Sequence, residues 1–402
     1  MKTVQHTFTN GDGHQLSAFL DLPPLRKPIG YALFAHCFTC NKELLAVRNI
    51  ARALTEEGIG VFRFDFPGLG KSEGCFSGST FSSNVDDLYR AAVYLEEIAE
   101  SPQILIGHSL GGAAAIRAAA LIKSLKGVAT IGAPADPAHV THLFGDEREE
   151  IESKGSATVS IAKSEFLIKS EFIEDLESIS MEEATQNLGR ELLVFHSPVD
   201  RVVGIENAAT IYGRARHPKS FISLDDADHL LSREKDSQYV GKCIATWASR
   251  YLDPVDRAID AEEVVVRIGN CGFRTDVLAN GRAFIADEPI NVGGTNLGPT
   301  PYDFLSAGLG ACTAMTLRMY ADRKDWPLES VEVHLVHDKI HARDCDECVT
   351  SEGRVDVIER RIILEGNLDE AQKSRLLEIA DRCPVHRTLE SEVRVETVLF
   401  EG

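Results

Sequence analysis

Gln103-Ile104-Leu105-Ile106-Gly107-His108-Ser109-Leu110-Gly111-Gly112, followed by the alanine-rich run 113–120, decides how the first part of this chain folds. An apolar run of strand character ends in Gly-x-Ser-x-Gly and passes directly into helix-forming sequence. That is a strand–nucleophile–helix turn. The turn is tight enough to strain the serine backbone, so glycine is needed two residues to either side, and Gly112 lets the helix pack close to a neighbouring strand. Ser109 then presents its hydroxyl at the strand's C-terminal edge, where a helix N-terminus favours developing negative charge.

Working outward, 402 residues exceed one ordinary core, so two domains are expected. Hydrophobic content of 44% is globular, and no apolar run approaches the length of a membrane span. Met1-Lys2-Thr3-Val4 leads into polar sequence without a signal-peptide core, which predicts a cytoplasmic protein. Nine cysteines in such a chain read as thiols. A net charge of −20 argues against nucleic acid or an anionic membrane as partner.

Around the central stretch, strand and helix alternate. Residues 4–8 and 16–22 predict a hairpin about Gly11-Asp12-Gly13; 31–35, 60–66, 128–132, 192–196 and 221–224 predict short buried strands. Residues 43–57, 84–100 and 237–251 predict helices. This rhythm implies a doubly wound, mostly parallel α/β sheet covered on both faces. Gly68-Leu69-Gly70-Lys71-Ser72 looks like the end of a phosphate loop, but Asp65 stands where that pattern needs glycine, so a surface turn is expected. After the strand at 31–35 comes His36-Cys37-Phe38-Thr39-Cys40. Its C-x-x-C admits a redox or metal pair, yet the position suits an oxyanion loop, with Cys37 or Phe38 giving one backbone N–H and Leu110 the other.

A serine nucleophile needs a base, and the base an acid to hold its tautomer. In the order Ser–acid–His, the fitting acid is Asp200, just past the strand at 192–196, and the fitting base is His229, past the strand at 221–224. The rivals are Asp225, Asp226 and Asp228 for the acid and His196 or His217 for the base. Between residues 136 and 188 the rhythm breaks into an acidic insertion that carries Phe144, Ile151, Phe166, Ile168 and Phe172, which is expected to form a small lid.

The first domain spans 1–253 and a charged linker 254–263; residues 264–402 read differently. Strands are expected at 264–268, 274–278 and 283–286, the last two around Asn280-Gly281, then a helix at 302–323 with Leu305, Leu309, Cys312 and Thr316 on one face. Long strands at 331–341 and 355–364, a helix at 369–382 and a closing strand at 393–400 complete an α+β domain.

The first domain resembles the α/β-hydrolases. The second resembles the OsmC/Ohr family of thiol-dependent hydroperoxide reductases, through Gly298-Pro299-Thr300-Pro301-Tyr302, Leu309-Gly310-Ala311-Cys312 and Cys383-Pro384-Val385. Together they are similar to fused hydrolase–OsmC proteins over nearly the whole chain. The resemblance implies a peroxidatic Cys312, a resolving Cys383 that captures it as a disulfide, an organic hydroperoxide and a dithiol reductant as partners, and an intertwined homodimer. One departure is Tyr302, ten residues before Cys312, where the peroxidases usually carry glutamate; Asp303 follows it. Arg282 and Arg274 are the candidates for the activating arginine.

His337, His341, Cys345 and Cys348 invite a zinc reading, but residues four apart on a strand are about 13 Å apart, so no metal is expected. Cys345 and Cys348 are left as a redox accessory pair. The expectation is a serine hydrolase of small acyl esters or thioesters, using Ser109, His229 and Asp200 without a cofactor, joined to an OsmC-like domain. The alternative for that domain is a non-catalytic role in dimerisation or ligand binding.

Overall fold

The computed structural model describes residues 1–25, 27–37, 39–145, 147–161, 164–252, 264–269, 272–341 and 354–399. Phe38, the linker 254–263, Cys345 and Cys348 lie outside the described residues. The chain divides into two compact units, Met1–Glu262 and Glu263–Gly402. Among the described residues no helix is long and apolar enough to cross a membrane.

The first unit runs β1 (Lys2–Thr9), β2 (Gln15–Leu22), β3 (Gly30–Ala35), α1 (Leu45–Glu56), β4 (Ile59–Phe64), α2 (Phe81–Ile98), β5 (Ile104–His108), α3 (Leu110–Ala118) and β6 (Gly127–Ile131). An insertion follows, with α4 (Glu147–Lys154), the hairpin β7 (Ser156–Ile161) and β8 (Ser164–Lys169), α5 (Ser170–Ser178) and α6 (Met181–Gln186). The unit closes with β9 (Glu191–His196), α7 (Glu206–Arg214), β10 (Lys219–Ser223) and α8 (Glu234–Ala248). Eight strands form one sheet in the order β1-β2-β4-β3-β5-β6-β9-β10. The β1–β2 and β2–β4 pairs are antiparallel, and the rest are parallel.

Strand periodicity divides the core between the two faces. Ile104 and Ile106 of β5 pack with α1 and α8, whereas Leu105 packs with α2 and α3. Phe34 and Leu33 of β3, and Phe195 and Val194 of β9, divide in the same way. The chain leaves β3 toward β4 on one side and returns as β5 on the other, so the strand order reverses between β3 and β5. A crevice opens outside the strand C-termini at such a reversal. Ala35 lies opposite Gly107 and Ile131 opposite His108, which aligns the ends of β3, β5 and β6 along that crevice.

In the described residues of the insertion, Phe144, Ile151, Ile168 and Phe172 join the core on the α2–α3 face. It sits against that face and the turn at Phe76, whose ring meets Phe166 at 4.8 Å; Ser82 Oγ donates to Asp175 at 2.6 Å.

The second unit has a three-stranded antiparallel sheet, β11 (Val264–Ile268), β12 (Thr275–Ala279) and β13 (Arg282–Ala286). Then come α9 (Pro301–Arg323), the long antiparallel pair β14 (Leu328–His341) and β15 (Arg354–Gly366), α10 (Glu370–Ala380) and α11 (Pro384–Leu389). A capping box between Thr300 and Asp303 starts α9. Two sequence expectations change here. Residues 393–399 form no strand: Val395, Val398 and Leu399 are more than 80% exposed and pair with nothing in the sheets. The helix expected at 369–382 ends at Ala380, and Cys383 begins the next one, as the N-cap of α11.

Candidate active site

The nucleophile turn is built by what is missing from it. At Gly107 a Cβ would strike Gly111 O, at Gly111 it would strike the Ala35 and His36 carbonyls, and at Gly112 the Ala133 methyl. With that clearance, α3 starts directly under the sheet edge and Ser109 adopts φ 55°, a left-handed conformation costly for a side-chain-bearing residue. Ser109 N–H donates to Ile131 O at 2.8 Å, tying the strained residue to the neighbouring strand.

Ser109 Oγ lies 3.0 Å from His229 Nε2, and His229 Nδ1 lies 2.7 Å from Asp200 Oδ2. The carboxylate facing Nδ1 fixes the tautomer: Nδ1–H donates to Asp200, leaving Nε2 to accept the Ser109 proton. Burial by itself would raise the Asp200 carboxyl, but the hydrogen bond and charge of His229, with the Val202 and Val203 amides on Oδ1, hold it below the ordinary range. Gly132, at φ 55°, leaves room behind the His–Asp pair; a Cβ there would lie 3.3 Å from His229 Nδ1.

Of the rivals named from sequence, His196, Asp226 and Asp228 are engaged elsewhere. His196 donates from Nε2 to Val203 O at 2.8 Å, Asp226 pairs with Arg233, and Asp228 holds Ser232. His217 lies with Lys126, Arg190 and Pro218 along a cavity at the opposite ends of the strands.

The loop after β3 is held at several points. His36 is buried; its Nε2 accepts Phe66 N–H at 3.3 Å, so Nδ1 carries the proton and donates to Cys37 O at 2.8 Å. Burial keeps the ring's pKa below its usual value. Further on, Lys42 N–H and Nζ donate to the two Asp65 oxygens at 2.7 and 2.5 Å, with both side chains about 1% exposed. Arg63 donates to Lys42 O and pairs with buried Asp21 at 2.6 Å. Asp65, noted above as a mismatch to a phosphate loop, is thus the buried partner of a lysine, and Gly70 has no Cβ because Asp65 fills that space. Cys37 and Cys40 are joined as a disulfide, which corrects the expectation that all nine cysteines are thiols. Leu110 begins α3, so its N–H has no intrahelical acceptor and remains available beside this loop.

In the second unit Cys312 and Cys383 are both thiols, the first half-buried and the second fully buried. Cys383 Sγ accepts His386 N–H at 3.3 Å and lies 3.6 Å from Thr313 Oγ1. Thr313 in turn accepts from Arg360 Nη1 at 3.0 Å, and Arg360 also binds Ala380 O and Asp381. Arg274 pairs with Asp276. Tyr302 stacks on His337, 4.2 Å between centroids and 9° from parallel, and His337 Nε2 donates to Asp356 at 2.8 Å.

A crystal structure of the esterase domain of a Rhodothermus marinus protein is 48% identical, covers 63% of this chain and all of that one, and superposes with a TM-score of 0.54. The chain belongs to the α/β-hydrolase family. A family model described as serine aminopeptidase, S33, matches residues 34–151 of the hydrolase unit, and the OsmC-like protein model matches residues 294–398. The protein is therefore an α/β-hydrolase fused to an OsmC-like domain. The mouse mitochondrial palmitoyl-protein thioesterase ABHD10 is 28% identical over 200 residues, which are 48% of this chain and 65% of that one, so the chain spans just under two thirds of that relative. Est1E from Butyrivibrio proteoclasticus, in its ferulic acid complex, shares the fold at 19% identity and a TM-score of 0.54.

Two parts of this fused hydrolase escaped the sequence. His108 donates from Nε2 to His229 O at 2.7 Å and so holds the histidine loop against the nucleophile strand. In the OsmC-like unit, Thr313 lies beside Cys383 and accepts from Arg360, an arginine outside the candidates Arg274 and Arg282 named for activating Cys312. A histidine beside Ser109 and a threonine beside Cys312 were visible as neighbours, but nothing local marked their partners.

Proposed function

We propose that the hydrolase unit cleaves small acyl esters or thioesters through Ser109 as nucleophile, His229 as general base and then acid, and Asp200 as its orienting carboxylate. The observation that carries this reading is the continuous chain from Ser109 Oγ to His229 Nε2 at 3.0 Å and from His229 Nδ1 to Asp200 at 2.7 Å. Ser109 attacks the acyl carbon as His229 takes its proton. The oxyanion is received by the N–H groups of Leu110 and of Cys37 or Phe38, and His229 then protonates the leaving alcohol or thiol. Water, deprotonated by the same His229, clears the acyl-enzyme. The esterase and thioesterase names of the relatives support an acyl substrate.

In the OsmC-like unit, Cys312 reduces an organic hydroperoxide and Cys383 resolves the sulfenic acid, a dithiol restoring both. The His386 N–H donated to Cys383 Sγ, with Thr313 Oγ1 beside it, supports a nucleophilic role for it. A second reading, in which this unit serves for dimerisation, is favoured by Tyr302, whose ring is stacked on His337 where a carboxylate is expected.

Intact-mass measurement of the whole protein tests both sites. A fluorophosphonate adds one adduct at Ser109, and Ser109→Ala lowers short-chain ester hydrolysis by roughly 10⁴-fold or more. Retained hydrolysis in Ser109→Ala would falsify the hydrolase reading. An organic hydroperoxide removes two hydrogens and yields a Cys312–Cys383 cross-linked peptide. If both thiols survive that treatment, the dimerisation reading replaces the peroxidase.

A further inference from the structure

The Cys37–Cys40 disulfide lies within the loop that faces the nucleophile turn. Ala35 and His36 carbonyls lie so close to Gly111 that no Cβ fits between, so the loop after β3 and the first turn of α3 are in direct contact. Beyond residue 40 the loop is anchored by the buried Lys42–Asp65 pair and by Arg63 on Lys42 O. Before it, His36 fixes the Cys37 carbonyl. Between these anchors the backbone hydrogen bond from Cys40 N–H to Cys37 O, at 3.1 Å, accompanies the disulfide. The segment that carries an oxyanion donor is thus cross-linked by a bond that reductants open.

We infer that Cys37 and Cys40 form a redox-active pair that controls the hydrolase: closed as a disulfide it holds the Cys37 N–H in place as oxyanion donor, and opened to two thiols it releases it. This rests on the oxyanion reading of the loop given above. Cys40 is half-buried and Cys37 is 5% exposed, so the incoming sulfur reaches Cys40 first. The thiolate of a dithiol bonds to Cys40 Sγ, the Cys37–Cys40 bond breaks, and Cys37 leaves as a thiolate that takes up a proton. The second thiol of the reductant then displaces Cys40, leaving two protein thiols and one oxidised dithiol. Closure runs through an organic hydroperoxide: Cys40 thiolate attacks the peroxide oxygen and releases the alcohol. Cys37 then displaces hydroxide from the Cys40 sulfenic acid, and water is the second product. Hydrogen peroxide or an alkyl hydroperoxide therefore raises ester hydrolysis, and a dithiol lowers it.

The test compares the full-length protein and Cys40→Ser, each after diamide and after dithiothreitol, with the redox state of the 37–40 peptide read by mass. In the wild type, opening the pair lowers kcat about tenfold, less than the loss of a whole oxyanion donor, while KM changes less than about twofold. Cys40→Ser holds the lower kcat under both treatments. An unchanged wild-type kcat while the peptide gains two hydrogens overturns the proposal, as does a peptide that never loses them under diamide. If Cys40→Ser still responds to dithiothreitol, the effect belongs to other cysteines and the proposal fails. The wild-type comparison needs no variant to fold. Failure of Ser109 to react with fluorophosphonate even in the oxidised protein would remove the hydrolase reading itself, and this proposal with it.

Discussion

At the residue before the nucleophile, His108 is buried and its ring faces His229 at 5.2 Å between centroids. Burial first, then the neighbouring His229, lowers its pKa to about 3, so it stays neutral and donates from Nε2 to His229 O. His108→Phe keeps a ring of similar volume and loses that bond. The expected result is a kcat about tenfold lower with KM little changed, and slower fluorophosphonate labelling, because the base is less well placed. A pH effect accompanies it. The folded pKa of about 3 lies below the ordinary 6.5, so in acid the unfolded chain binds a proton that the fold refuses. Stability therefore falls as pH drops from about 6.5 toward 3, by up to about 1.4 kcal/mol per pH unit for this group, and urea unfolding of His108→Phe shows a shallower acid slope. The meeting of Ser109, Asp200 and His229 was legible in the sequence because each lies on the loop that leaves the C-terminal end of a strand, and strand ends meet in one crevice. His108, Thr313 and Arg360 were not, because their roles depend on partners far along the chain that only tertiary packing supplies.

Among the elements, α2 carries an anomaly. Asp87, on its buried face, accepts from Asn10 Nδ2 at 3.0 Å, and its Oδ2 has no partner among the described residues. Burial raises the carboxyl, with Asn10 offsetting part of the rise, to about 7. A raised carboxyl disfavours the folded state as pH climbs from the ordinary 3.8 toward 7, since the unfolded chain ionises there and the buried group does not. Asp87→Asn retains the acceptor for Asn10 and never ionises. Its stability matches the wild type near pH 3.8 and exceeds it by on the order of 2 kcal/mol at pH 8; equal denaturation midpoints at the two pH values would contradict this. The strands and helices of the hydrolase unit were readable because each combines a clear period with glycine or polar breaks. Residues 393–399 misled for the same reason: Val393 and Val395 alternate as in a strand, but a strand also needs a partner, and this segment pairs with none of the sheets among the described residues.

For the molecule as a whole, the two units bury apolar residues very unequally. The hydrolase unit has extensive cores on both faces of its sheet, whereas the helix-and-sheet core of the OsmC-like unit is a small cluster around Leu317, Leu328 and Leu376. Val264, Val266, Met315, Met319, Val395 and Val398 are all exposed. The proposed homodimer covers such surface with a second copy of the OsmC-like unit. Light scattering of the full-length protein at micromolar concentration is expected to give twice the chain mass, and Val395→Asp with Val398→Asp to give the monomer while leaving Ser109 reactive. A wild-type monomer would rule the dimer out. In such a dimer the exposed tail at 393–399 would make the two halves of one polypeptide obey different rules under dilution. Melting of the hydrolase unit would be a unimolecular event with a fixed midpoint, whereas the midpoint of its neighbour would climb with protein concentration by mass action.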